Sequence, residues 1–174
     1  MASGDLTKTV RNGQQQVNAD YRTALRFKGE PGEAMREFGA RLTARFEEFC
    51  AAAGVKPFPV AEQELEMVAS LDGNFFRYHV DTLTGEARQR GTVRALTTVY
   101  YFHRRPRRFR AGELALYGFT GGEPAALIEP RHDRLLVFPS IAPHEVRAVE
   151  CPEGTFADAR FTVNVWFNRA VPGQ

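Results

Sequence analysis

Cysteine is scarce, with two in 174 residues, and Cys50 and Cys151 stand far apart with no CxxC partner for either. That excludes a disulfide framework or a thiolate metal cluster and reads as two reduced thiols. No apolar run approaches the ~18 residues that a membrane span requires. The start Met1-Ala2-Ser3-Gly4-Asp5 also lacks the basic and apolar regions of a secretory signal. A cytoplasmic protein without a membrane partner is expected. Charge of one sign is missing too: 23 Lys plus Arg meet 21 Asp plus Glu, for a net +2. That balance is too even to imply nucleic acid from charge alone. The sequence has no internal repeat and no low-complexity tract. One domain over residues 1–174 is expected, and a chain of this length buries roughly two thirds of its unfolded surface, enough to enclose a pocket.

What is present is one amphipathic segment followed by many short β patterns. Residues 1–20 read as flexible, and Tyr21, Ala24, Leu25 and Phe27 suggest a short strand. Over 31–53, Met35, Phe38, Leu42, Phe46 and Phe49 recur at three- and four-residue steps, with charged residues filling the other face. This spacing predicts a helix with Pro31 in its first turn and Gly54 at its end. Its apolar stripe needs a sheet to lie on. Val55-Lys56-Pro57-Phe58-Pro59 stops the helix. Strands are then predicted over 64–71, 75–80, 92–102, 113–117, 125–128, 134–138, 146–149 and 160–168. Many strands behind one helix predict a mainly β fold, closed or sandwiched, with the helix on one outer face. In the last strand Phe161, Val163, Val165 and Phe167 alternate with Arg160, Thr162, Asn164 and Trp166. The first set belongs under the helix, and the second belongs in a lined cavity.

Two stretches carry metal chemistry: Phe75-Phe76-Arg77-Tyr78-His79-Val80-Asp81 and Phe138-Pro139-Ser140-Ile141-Ala142-Pro143-His144-Glu145-Val146. In an extended strand residues i and i+2 share a face, so His79 and Asp81 present a nitrogen and an oxygen side by side. With His144 brought in by the fold they form the two-histidine, one-carboxylate triad that suits non-haem Fe(II) oxygen chemistry. Spacing alone leaves a second reading open, a pair of exposed strand-end histidines. Arg160 on an inward strand face requires an anion. A protein carboxylate would serve, as would the distal carboxylate of a bound co-substrate held bidentately.

These residues stand in order with Thr97-Thr98-Val99-Tyr100-Tyr101-Phe102, Ala111-Gly112-Glu113-Leu114-Ala115-Leu116-Tyr117, Ile128-Glu129-Pro130, Asp133-Arg134-Leu135-Leu136-Val137-Phe138-Pro139-Ser140 and Arg160-Phe161-Thr162-Val163-Asn164-Val165-Trp166. Over 64–168 the set resembles the Fe(II)/2-oxoglutarate-dependent dioxygenases of the prolyl 4-hydroxylase-like group. The resemblance implies a double-stranded β-helix (jelly-roll, cupin-like) with the helix packed on its major sheet. It implies His79, Asp81 and His144 as iron ligands, Arg160 on the C5 carboxylate of 2-oxoglutarate, and Tyr101 donating to the same group. Val99, Leu114, Val146 and Trp166 would line the pocket, and Thr162 or Asn164 would add a hydrogen bond. Arg94, Tyr78 and Trp166 are expected at the substrate. The implied cofactors are Fe(II), 2-oxoglutarate and O2, with ascorbate as a reductant. The retained carboxylate of Asp81 favours hydroxylation over halogenation. Leu71 stands where some relatives carry a second co-substrate tyrosine.

The implied reaction hydroxylates an amino-acid side chain, prolyl or similar, free or within a peptide or protein, with succinate and CO2 released. A small or carrier-bound metabolite is the alternative substrate, and a non-catalytic metal-binding β-helix module is the alternative class. A monomer or homodimer is expected. Two loops stay open. The stretch 82–91 reads equally as a lid or a solvated loop. The basic run His103-Arg104-Arg105-Pro106-Arg107-Arg108-Phe109-Arg110 reads as a hydrated connection, or as a surface for an acidic partner.

Overall fold

The computed structural model describes residues 20–30, 32–82 and 91–171, together with the backbone of 5–6, 9–11 and 14–16. The rest of the 1–20 segment expected to be flexible, Pro31 and the body of the 82–91 loop lie outside the described residues. Strand β1 is Asp5–Leu6, β2 Thr9–Arg11, β3 Gln14–Gln16 and β4 Leu25–Arg26. Helices α1 (Glu33–Thr43) and α2 (Phe46–Ala52) follow, then β5 (Val60–Ser70), β6 (Phe76–His79), β7 (Thr92–Phe102) and β8 (Arg110–Ala111). The remainder is β9 (Leu114–Leu116), β10 (Ala126–Ile128), β11 (Arg134–Pro139), β12 (His144–Val146), β13 (Val149–Glu150) and β14 (Arg160–Ala170).

Six of these strands form the major sheet, in the order β1-β4-β5-β14-β7-β11, and four form the minor sheet, β10-β9-β12-β6. The last strand sits in the middle of the major sheet, hydrogen-bonded along its length to β5 and β7. Its period of two divides the protein into layers, as the sequence predicts. Phe167, Val165 and Val163 form one buried cluster with Leu42, Phe46, Phe49 and Cys50 of the helices and Leu96 of β7. Between the sheets a second cluster joins Val99, Tyr101 and Phe138 of the major sheet to Leu114 of β9, with Leu116 and Ile128 packed against it. This is the double-stranded β-helix with its helices on the major sheet.

The predicted helix over 31–53 is two helices, broken at Ala44 and Arg45. The cause is local. The carbonyl of Gly39 accepts from Thr43 Oγ1 and from Gln63 Nε2, both at 3.1 Å, and Arg45 N–H closes on Leu42 O, one residue short of the α pattern. Threonine bonding back to the preceding turn bends helices. The bend lets Leu42 of α1 and Phe46 and Phe49 of α2 all reach the sheet. The predicted strand over 146–149 is likewise divided: β12 ends at Val146, and Val149 pairs with Ala111 in a separate two-stranded ribbon. Among the described residues no helix is long and apolar enough to cross a membrane.

The Phe46 ring meets Phe58 edge-on at 4.9 Å and Phe167 at 5.1 Å, at the junction of helix, linker and sheet. Phe46→Ala is therefore expected to cost about 3–5 kcal/mol of unfolding free energy, measured by urea denaturation.

Candidate metal centre and anion pocket

Strands β6 and β12 pair antiparallel with His79 opposite His144, and their ring centroids lie 4.1 Å apart. Asp81 follows β6 by two residues. Its backbone N–H and that of Thr82 both donate to Ser140 O, at 2.9 and 3.0 Å, which ties the end of β6 to the turn before β12. One ligand atom from each of His79, Asp81 and His144 falls within a cluster no wider than 4.8 Å. Asp81 Oδ1 is 3.7 Å from His79 Nε2 and Oδ2 is 3.8 Å from His144 Nε2. The Nδ1 atoms meet Arg77 O at 2.6 Å and Ala142 O at 2.9 Å. A carbonyl can only accept, so Nδ1 carries the proton and Nε2 keeps its lone pair for a metal.

The electrostatics favour the ligand forms. Burial opposes the charge on Asp81, but His79, His144 and the nearby indole of Trp166 outweigh it and hold the carboxyl well below the usual carboxylate range. The Trp166 N–H has no hydrogen-bond partner of ordinary length, so its effect on Asp81 is that of a dipole nearby. Burial pushes the His144 imidazole down toward its neutral form, and this exceeds the opposing pull of Asp81. Phe76 stacks on the His79 ring at 3.5 Å, and the Arg22 guanidinium lies 4.6 Å over Phe76. The segment before α1 thus braces this imidazole from behind.

Across the same inter-sheet space lies a cation that has no paired anion among the described residues. Arg160 is 3 % exposed, and its guanidinium sits 5.0 Å from the Tyr101 ring. Arg160 Nε and the Tyr101 hydroxyl are both buried and meet no hydrogen-bond partner among the described residues. Burial pushes Arg160 down and Tyr101 up. Glu113 acts on the guanidinium only through space. Gly112 makes room for the arrangement. Its φ is +71°, and a Cβ there would come within 2.9 Å of Arg160 Cδ and of Val149 Cγ2. An orphaned guanidinium N–H on a buried cation, beside an orphaned phenol hydroxyl, fits a carboxylate, as the two imidazoles and one carboxylate fit a divalent metal.

The other predicted residues divide. Val99 and Leu114 pack against Tyr101, and Val146 pairs with Leu114 at the edge of the same space. Thr162 is buried opposite Tyr101, and Asn164 lies between Glu66 and Val99 on the inward face of β14. Arg94 covers the Trp166 ring at 3.8 Å and pairs with Glu64 at 2.5 Å. Tyr78 is not brought to the site. Alternation along β6 turns it to the face opposite His79, where it is 48 % exposed and packs edge-on against Tyr117. Thr97 and Ser140, which the sequence reading leaves without a role, touch the triad: Thr97 Oγ1 donates to Asp81 Oδ2 at 2.9 Å. The alternation that places Val99 and Tyr101 inward also places Thr97 there. The basic run 103–110 is largely answered by its own surroundings, with Arg104 on Asp158, Arg105 on Asp133, Arg107 on Glu129 and Phe109 buried.

A double-stranded β-helix holding two imidazoles, one carboxylate and a buried arginine is the framework of a non-haem oxygenase, and residues 65–168 match the family model of the 2OG-Fe(II) oxygenase superfamily. The chain belongs to that superfamily. It is 35% identical over 136 residues to an uncharacterised PKHD-type hydroxylase of Synechocystis, covering 74% of this chain and 44% of that relative. It thus spans less than half of that relative's length. Among solved structures it is similar to a prolyl-4-hydroxylase of Pseudomonas putida, with TM-score 0.64 and 22% identity over 94% of this chain and 78% of that one. It is also similar to a viral collagen prolyl hydroxylase of Paramecium bursaria Chlorella virus-1, with TM-score 0.56 and 15% identity over 87% and 81% of the two chains. At such identities the likeness is one of fold.

Proposed function

We propose that this chain hydroxylates an amino-acid side chain, prolyl or similar, free or in a peptide or protein, using Fe(II), 2-oxoglutarate and O2 and releasing succinate and CO2. The observation that carries the reading is Arg160: a buried guanidinium with an unpartnered N–H, beside an unpartnered Tyr101 hydroxyl, in the same enclosed layer as the triad. His79, Asp81 and His144 would hold the iron through two Nε2 atoms and a carboxylate oxygen. Arg160 and Tyr101 would grip the distal carboxylate of 2-oxoglutarate, while Val99, Leu114 and Val146 keep water from its chain. Bound together, iron and 2-oxoglutarate supply the O2-dependent oxidation. The protein supplies position, a dry site and the fixed charge. Trp166 under Arg94 would form the wall nearest the substrate. The prolyl preference is supported by the two hydroxylases of like fold and by analogy only.

Anaerobic addition of Fe(II) and 2-oxoglutarate to the purified protein is expected to produce a visible metal-to-ligand absorption band. Its absence would sink the proposal. Aerobic succinate release, stimulated by proline-containing peptides over other amino acids, is the expected sign of the substrate class.

A further inference from the structure

The two oxygens of Asp81 lie almost equally close to the two imidazoles, Oδ1 at 3.7 Å from His79 Nε2 and Oδ2 at 3.8 Å from His144 Nε2. A metal between them could take either oxygen or both. The difference matters for the chemistry proposed above. Two imidazoles, one carboxylate oxygen and the two oxygens of a 2-oxo acid leave a single octahedral position open, and a second oxygen from Asp81 would fill it.

One of the oxygens is tied down. Thr97, on β7 in the major sheet, is 1 % exposed, and its hydroxyl donates to Asp81 Oδ2 at 2.9 Å. Ser140 is fully buried, with Oγ 2.8 Å from Thr97 Oγ1. Threonine has one hydroxyl proton and gives it to the carboxylate, so the Ser140 proton points to Thr97. The chain of donors runs one way, from Ser140 through Thr97 to Oδ2. A donor that is itself a hydrogen-bond acceptor is polarised and strengthened, most of all away from water.

The same serine fixes the other end of Asp81. Its carbonyl accepts the N–H groups of Asp81 and Thr82, and its own N–H donates to Ala95 O of β7 at 3.1 Å. Register sets Thr97 opposite Phe138 on β11 and Trp166 on β14, so the hydroxyl is carried by the centre of the major sheet. The minor sheet supplies the imidazoles, and the major sheet supplies the group that orients the carboxylate.

We infer that Thr97 and Ser140 are positioning residues that hold Asp81 Oδ2 away from the metal, so that Oδ1 alone ligates and the site keeps its open position. This rests on the reading of His79, Asp81 and His144 as iron ligands.

The test uses Co(II), which reports coordination through its visible d–d absorption without turnover. The metal-free protein and its Thr97→Val, Thr97→Ser and Ser140→Ala variants are titrated anaerobically with Co(II). Valine keeps the branched shape and deletes the donor. The expected result is a loss of Co(II) affinity of about tenfold in Thr97→Val, within the range typical of groups that orient a ligand. A changed d–d spectrum should accompany it as the second oxygen reaches the metal. Thr97→Ser should return to about the wild-type affinity and spectrum, and Ser140→Ala should fall between. Wild-type affinity together with the wild-type spectrum in Thr97→Val would overturn the inference. Should that variant fail to fold by circular dichroism, Ser140→Ala carries the test, and an unchanged affinity and spectrum there overturn it equally. If the wild-type protein binds no Co(II), the metal-centre reading itself fails, and the inference with it.

Discussion

Replacing Arg160 with methionine is expected to raise the 2-oxoglutarate concentration for half-maximal succinate formation by about 30-fold or more, while leaving Co(II) binding intact. Truncating one partner of a buried, hydrogen-bonded charge pair typically costs about 2–5 kcal/mol, most of it because the remaining charge is left without a counterion. Here the counterion would be the distal carboxylate of the co-substrate, since among the described residues no carboxylate is close enough to pair with the guanidinium. The same fact yields a second measurement with the opposite sign. A buried unpaired cation destabilises the fold that holds it, and apolar replacements of similar volume are often neutral or stabilising by about 1–4 kcal/mol. Arg160→Met should therefore melt at or above the wild-type temperature without 2-oxoglutarate, and should lose the upward shift that the co-substrate gives the wild type. An arginine that served only as structural packing would behave in reverse: its loss would lower the melting temperature and leave co-substrate affinity unchanged. Thermal melts with and without 2-oxoglutarate thus separate the two roles even before turnover is assayed.

Much of this site was legible in the chain because strands write their two faces directly into the sequence. The alternation of Arg160, Thr162, Asn164 and Trp166 with phenylalanines and valines names both the layer under the helices and the layer around the pocket. The same period of two paired His79 with Asp81. It also argues against Tyr78 as a substrate contact, one residue from His79 and so on the other face. Thr97 shares the inward face with Val99 and Tyr101, yet a threonine in a strand is ordinary. Only the three-dimensional meeting of β7, the turn at Ser140 and the end of β6 gives its hydroxyl something to hold. Gly112 was hidden for a similar reason. Its positive φ and the nearness of Arg160 Cδ depend on a neighbour 48 positions away along the chain, which no local pattern records. The helix break was also a non-local event in part, because Gln63 from β5 competes for the Gly39 carbonyl that Thr43 already occupies.

His144→Ala should abolish Fe(II)-dependent succinate formation and weaken Co(II) binding by more than the roughly 10–100-fold that orienting groups outside the ligand set cost. Two donors would remain, His79 at the end of β6 and Asp81, which Thr97 and Ser140 still hold in place. The fold itself should survive, because the removed ring leaves a hole lined by Phe138 at 4.9 Å and His79 at 4.1 Å and deletes no main-chain pairing of β12. That hole has the shape of the ring taken from it, so free imidazole added at millimolar concentration should enter and recover part of the Co(II) affinity. It should do nothing for Arg160→Met, whose defect lies at the other end of the pocket. Persistent iron-dependent turnover in His144→Ala without imidazole would remove this residue from the ligand set. Rescue confined to His144→Ala would place the defect at the metal, and the 2-oxoglutarate dependence of the rescued enzyme, governed by Arg160 and Tyr101, should match the wild type.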